Sequence, residues 1–205
     1  MDEVEDFLSK IRNTVATLDF FHLRSALREA FNAGIPGYDI IKKGVLEGLA
    51  NSGEIGLIVA AEALSKEISS AVKEEISKKY LGVVVIGTVH GDIHDLGKNI
   101  LIALLKSIGI NVRDLGIDVS PELFVENAQI EGVKVIALSS LLSISTTNVK
   151  KTIIALEKAG LRDNIKIIVG GAAMSRELAD DLKADAYAKD ALMGLEIVEK
   201  WLSVQ

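Results

Sequence analysis

LGVVVIGTVHGDIHDLGKNILIALLKSIG, residues 81–109, is the stretch on which the reading of this chain turns. It opens on a continuously apolar run, Val83 to Ile86, of the kind that forms a strand covered on both faces. It closes on an apolar run with the length of a helix. The loop between them needs turn residues, which Gly87, Gly91 and Gly97 supply. Yet the same loop holds two of the chain's three histidines, His90 and His94, interleaved with Asp92 and Asp95. A turn has no use for imidazole. In Asp92-Ile93-His94 the carboxylate is close enough to accept a hydrogen bond from one ring nitrogen. That leaves the other nitrogen free and electron-rich, as in a metal-ligating histidine oriented by a carboxylate.

Outward from this stretch the pattern repeats. NVRDLG precedes PELFVENAQIEG, VKVIALSS precedes NVKKTIIALEKAG, IKIIVGG precedes SRELADDLKA, and DAYAKD precedes LMGLEIVEKWL. Five strands alternating with five helices predict a Rossmann-like parallel sheet, with the flavodoxin-like order 2-1-3-4-5. In such a sheet ligands bind beyond the carboxyl ends of the strands, where the order reverses between strands 1 and 3. The loops that should emerge there are GTVHGDIHDLG, SSLLSIST and GGAAMS, rich in Gly, Ser, Thr and His. The opposite-edge connections (109–111, 131–134, 160–165 and 183–185) read as ordinary turns. Topology therefore places the site before any motif is named.

Residues ahead of this region carry helical periodicity. Phe7, Leu8, Ile11, Val15 and Leu18 recur at spacings of three and four. DFFHLRSALREAFNAG has Asp19 as N-cap, Gly34 as stop and Pro36 beyond. YDIIKKGVLEGLANSG and EIGLIVAAEALSKEISSAVKEEISKK suggest a third and a fourth helix, hence a four-helix bundle. Phe20, Phe21, Phe31 and Tyr38 read as its core, and His22 as a residue on a helix face. The expected domains are 1–78, a helical bundle, and 79–205, the α/β domain.

Composition narrows the function. The 205 residues carry a net charge of −6 and no Lys/Arg cluster, which argues against a nucleic-acid partner. The chain lacks cysteine, so disulfides, thiolate metal sites and a Cys nucleophile are excluded. No apolar stretch is long enough to span a bilayer, and the acidic start MDEVEDFLSK does not resemble a signal peptide, so a cytoplasmic location and no membrane partner are expected. One imidazole without obvious partner ligands does not make a protein-only zinc site. It suits a metal whose remaining positions are filled by a macrocycle.

Asp92-x-His94-x-x-Gly97 matches the DxHxxG motif, and Ser139-x-Leu141 and Gly170-Gly171 match the second and third motifs, of the cobalamin-binding domains in methyl-transferring corrinoid proteins. DLGIDVSPELFV and ADAYAKDA also resemble that family. The likeness covers residues 80 to 203, and the helices before it are similar in size and position to the family's cap bundle. The resemblance implies cobalamin or a related corrinoid as cofactor, with His94 as the lower axial ligand of cobalt in place of the cofactor's own base. Asp92 would hydrogen-bond His94, and Ser145 would continue that relay; no further catalytic residue is implied. Gly91, Ile93 and Asp95 belong to the ligand loop. Gly97 would open the helix beside the nucleotide tail, Ser139, Leu141 and Ser143 would line the pocket for the displaced base, and Gly170 and Gly171 would let the tail lie against bare backbone. The implied function is a methyl carrier, a subunit rather than a stand-alone catalyst. It would accept a methyl group on Co(I) from a donor-specific methyltransferase and deliver it from methyl-Co(III) to an acceptor methyltransferase. A reductive activating protein is a further implied partner.

Other readings stay open at this point. A cobalamin-dependent sensor or regulator uses the same two modules, and the small subunit of an adenosylcobalamin mutase uses the sheet alone. A phospho-receiver domain needs an acceptor Asp ending strand 3, where this chain has Ser139-Ser140. The three loop glycines do not form GxGxxG, which disfavours a dinucleotide fold. The joint LANSGEIGLIV, residues 49–59, is shorter than the family's and lacks its aromatics. Residues 76–82 read as a hinge, and His90 as a solvated loop residue.

Overall fold

The computed structural model describes residues 3–36, 39–49 and 82–203. The expected fourth helix, the shortened joint after Leu49, Tyr38 and all but the last residue of the expected hinge lie outside the described residues. The chain divides into two compact units, Met1–Lys78 with Lys106–Gly109, and Lys79–Leu105 with Ile110–Gln205.

In the first unit, α1 (Glu3–Ala16) turns Leu8, Ile11 and Val15 inward. A stripe at spacings of three and four can bury only one side of a helix. Helix α2 (Phe20–Asn32) starts where the Asp19 carboxylate accepts the N–H of His22. It ends where Gly34, at φ 77°, lets the N–H of Ile35 reach back to the carbonyl of Ala30. A third helix, α3 (Ile40–Leu46), has π-type turns and runs on as Glu47–Leu49. It lies close against α1 because Gly44 and Gly48 leave space that side chains would take from Ile11 and Val15. Arg12 ties the two helices together, donating to the carbonyl of Lys43 at 2.8 Å. Phe21 corrects the expected bundle core, because it is 86% exposed. It lies on the side of α2 away from the buried stripe of Leu23, Ala26, Leu27 and Ala30.

The second unit is a parallel sheet in the order β2-β1-β3-β4-β5. Its strands are β1 (Val83–Thr88), β2 (Asn111–Asp114), β3 (Val133–Ser139), β4 (Lys166–Gly170) and β5 (Ala186–Ala188). Helices α4 (Leu96–Ser107), α5 (Pro121–Ala128), α6 (Thr146–Lys158), α7 (Arg176–Asp181) and α8 (Ala191–Leu202) alternate with them. Right-handed crossovers put helices on both faces, so both faces of the central strands are buried. Val85, Ile136, Leu138, Ile167 and Val169 join Phe124 of α5 and Val149, Ile153 and Leu156 of α6 in one core. The alternate residues Val84, Ile86, Val135, Ala137 and Ile168 point to the other face and are equally buried.

Register then positions the site. Thr88 pairs with Ser139, Ser139 with Gly170, and Gly170 with Ala188, so the carboxyl ends of four strands form one row. The loops after β1, β3 and β4 leave from adjacent points of that row. Two of the three loop glycines are not turn residues. Gly87 lies inside β1, where a Cβ would come within 2.9 Å of the Phe124 ring. Gly97 sits in the first turn of α4, with open space where its side chain would be. Only Gly91, at φ 80°, serves a turn.

Candidate functional site

The site is built around one buried carboxylate. Asp92 is 0% exposed, although it sits in a loop leaving the edge of the sheet. A buried charge persists only if its lone pairs are taken up, and those of Asp92 are. Oδ1 accepts the backbone N–H of His94 at 3.1 Å and lies 2.7 Å from the ring nitrogen Nδ1. Oδ2 accepts the N–H groups of Leu141 and Leu142 at 2.7 and 3.0 Å, and the hydroxyl of Ser145 at 3.1 Å. Burial alone would raise this carboxyl's pKa. The Leu142 N–H, the His94 ring and the N–H groups of Leu141 and His94 outweigh it and hold the carboxyl well below the usual range. Asp92 is therefore an anion at any pH near neutrality.

An anion can only accept, so the nitrogen facing it, Nδ1, carries the proton of a neutral His94 ring. Nε2 is then the basic nitrogen, and it has no hydrogen-bond partner among the described residues. The ring is 45% exposed, so it is fixed at one nitrogen and open at the other. Its backbone is pinned as well, because the buried Thr88 hydroxyl donates to the carbonyl of His94 at 2.8 Å.

Behind Asp92 the polar chain continues inward. Ser145 Oγ is 2.7 Å from the Leu142 carbonyl and 2.7 Å from Ser140 Oγ, and both serines are buried. Ser145 has one proton for two acceptors, the Asp92 carboxylate and the Leu142 carbonyl, while the Ser140 hydroxyl can donate into its oxygen. The structure thus joins His94, Asp92 and Ser145, and adds Thr88, Ser140 and the N–H of Leu142. Those three escaped the reading of the sequence. Backbone donors have no residue type to recognise, and Ser140 is one hydroxyl in a loop full of them.

The remaining expected site residues lie along the same edge. Asp95 precedes α4 and accepts the Asn99 side chain at 2.9 Å. Ser139 ends β3, and Ser143 begins the 3-10 turn Ser143–Ser145. Gly171 sits at φ 106°. A Cβ there would fall 2.2 Å from the Ser140 carbonyl oxygen, so the fold itself demands glycine. Gly170 is similarly tight, with Ala188 O 3.1 Å from its Cβ position. His90 is exposed and lies 2.8 Å from Asp118.

Around the open imidazole the edge is apolar. Ile93 is 68% exposed and Ile144 80%, with Leu96, Leu141 and Leu142 also exposed. Large apolar side chains concentrated beside a polar anchor mark a binding surface. Among the described residues, no group of three or more His, Cys, Asp or Glu side chains is placed to hold a metal ion. Nor is any helix among them long and apolar enough to cross a membrane.

Residues 82–196 match the family model described as the B12 binding domain. The trimethylamine corrinoid protein 1 of Methanosarcina acetivorans is 34% identical, over 93% of this chain and 94% of its own length. Among solved structures, a cobalamin-binding protein from Desulfitobacterium hafniense DCB-2 superimposes with a TM-score of 0.77 at 26% identity, covering 95% of this chain and 98% of that one. The monomethylamine corrinoid protein of Methanosarcina barkeri gives a TM-score of 0.59 at 27% identity, covering 96% and 98%.

Proposed function

The chain belongs to the methyltransferase corrinoid proteins and binds cobalamin or a related corrinoid through its B12-binding domain; from that premise we propose that it carries methyl groups between two methyltransferases. One serves a specific methyl donor and the other the acceptor. The names of the two Methanosarcina relatives support a methylamine as the donor class. In this reading residues 1–78 are a helical cap and residues 79–205 the cobalamin-binding domain.

The observation that carries the proposal is the His94 ring, locked through Nδ1 and open at Nε2. The residues present fit a corrinoid. A flat, largely apolar macrocycle would suit the exposed Ile93, Leu141 and Ile144, and its metal would need one donor from the protein, which a single open imidazole provides. When bound, the corrinoid supplies a cobalt that takes up and gives up a methyl group. His94 would hold the metal through Nε2. Asp92 would keep the ring in one tautomer, with Nε2 free to bind. Ser145, backed by Ser140, would keep Asp92 hydrogen-bonded as the charge on the pair changes. Gly97 would leave room beside α4 for the nucleotide tail, and Ser139, Leu141 and Ser143 would line the pocket of the displaced base. Gly91, Asp95, Gly170 and Gly171 would complete the cofactor's surroundings.

The test is a visible absorption spectrum of purified protein mixed with hydroxocobalamin and then desalted. Wild type is expected to retain the cofactor one-to-one with an altered spectrum, and His94→Ala to lose that alteration. A His94→Ala protein with the wild-type spectrum and wild-type methyl transfer would overturn the reading.

A further inference from the structure

We infer that Asp118 is a positioning residue for His94, acting through the two peptide groups that flank Gly91-Asp92. This rests on the reading of His94 as the axial ligand. Asp118 lies in the connection between β2 and α5, outside the three motifs. Its backbone sits at φ 53°, a region that side-chain-bearing residues rarely enter and that Asp and Asn tolerate best.

The side-chain and amide hydrogen bonds of Asp118 go to the ligand loop. Asp118 Oδ1 accepts the N–H of Gly91 at 2.7 Å and lies 2.8 Å from His90 Nδ1. Its own N–H donates to the carbonyl of Asp92 at 3.0 Å. One residue thus grips the turn on both sides, at the N–H before Asp92 and at the carbonyl after it. The connection is braced against β1, because the N–H of Val119 donates to the Thr88 carbonyl at 2.9 Å and that of Thr88 to Gly116 at 3.0 Å. From the opposite side Asn148 donates to the His90 carbonyl at 2.7 Å. The Gly91 N–H, with His90 beside it, outweighs a small opposing effect of burial and holds the Asp118 carboxyl below its ordinary pKa, so it accepts as an anion at neutral pH.

Asp118 is 53% exposed, so the core does not depend on it. What depends on it is direction. A strained, exposed residue whose side-chain and amide hydrogen bonds all reach a ligand loop serves the geometry of that loop. Asp92 can meet the N–H groups of Leu141 and Leu142 and also face His94 only if its backbone leaves the turn at one angle.

The full-length protein is loaded with cobinamide, a corrinoid without a nitrogenous lower base, reduced to the cobalt(II) state and examined by electron paramagnetic resonance, where one axial nitrogen from the protein splits each cobalt line into three. Asp118→Asn keeps the cap and tolerates the backbone, and is expected to keep the triplet. Asp118→Gly accepts the backbone freely but cannot cap Gly91. It is expected to shift the ratio of nitrogen-ligated to unligated cofactor about tenfold toward unligated, the scale of one charge-assisted hydrogen bond, while melting cooperatively. Asp118→Ala is the second variant, with the same expectation. A wild-type triplet in Asp118→Gly or Asp118→Ala overturns the inference. A triplet that survives in His94→Ala overturns instead the assignment of His94 as ligand, so the two failures are distinct.

Discussion

The Oδ2 atom of Asp92 accepts the backbone N–H of Leu141 at 2.7 Å, across a sequence separation of 49 residues. This bond joins the loop after β1 to the loop after β3, and the N–H of Leu142 beside it makes the junction double. Asp92→Asn would place at least one amide NH2 hydrogen against donors. We expect a loss of about 2–4 kcal/mol in urea unfolding of the cofactor-free protein, the cost of leaving buried donors unsatisfied. A variant within 0.5 kcal/mol of wild type would show that the carboxylate's charge is not needed to join the loops.

Gly171 and Gly97 should respond oppositely to alanine. At 171 the new Cβ would collide with the Ser140 carbonyl in a backbone region that disfavours side chains, at a cost of about 2 kcal/mol or more. At 97 the Cβ enters open space on a helix, which should stabilise the cofactor-free protein by up to about 1 kcal/mol. Cobalamin retention after desalting should nonetheless fall in Gly97→Ala, because the added methyl occupies the room proposed for the nucleotide tail. Thermal melts and retention assays on both variants separate the two effects.

Lys98 is nearly inaccessible, and its Nζ donates to Asp114 and to the Asn99 side chain, each at 2.8 Å. It fastens the start of α4 to the end of β2. Lys98→Met should cost about 1–3 kcal/mol, since Asp114 is partly exposed and regains water. Because the ammonium is buried, the loss should be nearly the same at low and at 0.5 M salt, an expectation that paired urea titrations check.

Asp185 should contribute to the acid limb of stability. Burial would raise its carboxyl, but the N–H of Ile167, then Arg162 and Lys166, outweigh that and hold it below the ordinary value. A carboxyl with a lowered folded pKa contributes fully above its unfolded pKa of about 3.9, and the contribution is lost as pH falls through the folded value. Asp185→Asn should therefore cost about 1–2 kcal/mol at pH 7 and progressively less below about pH 4. Equal losses at pH 7 and pH 3 would contradict this.

The sheet was legible because its signal is local. VVVI, VIAL and IIVG are continuously apolar and separated by helical periods, and those runs fall in β1, β3 and β4. The strand order follows from handedness and connection length rather than from any single residue. Less was legible in the helical unit. Phe21 is as apolar in sequence as the residues that form a core, and whether a helix turns it outward depends on how α1 and α3 pack against it. The π-type turns of α3 have no periodic signature. At the site, Asp92 and His94 stood out by residue type, and so did Ser145 once the second motif was placed. The donors that make Asp92 stable did not, because Leu141 and Leu142 contribute their backbone. Asp118 was hidden for a related reason, since a positive φ at aspartate leaves no pattern in the residues around it.

The span of the Asp92 junction also bears on how the protein becomes ready for its cofactor. Contacts between residues far apart in sequence must repay a loop-closure entropy before they stabilise anything, so they tend to form late in folding. The carboxylate in the loop after β1 has its Oδ2 sites filled by donors that emerge only with Leu141, Leu142 and Ser145. A nascent chain can therefore complete β1, α4 and β2 and still lack a fixed imidazole. The Oδ2 half of the carboxylate's support depends on β3 lying beside β1, with its loop closed over Asp92.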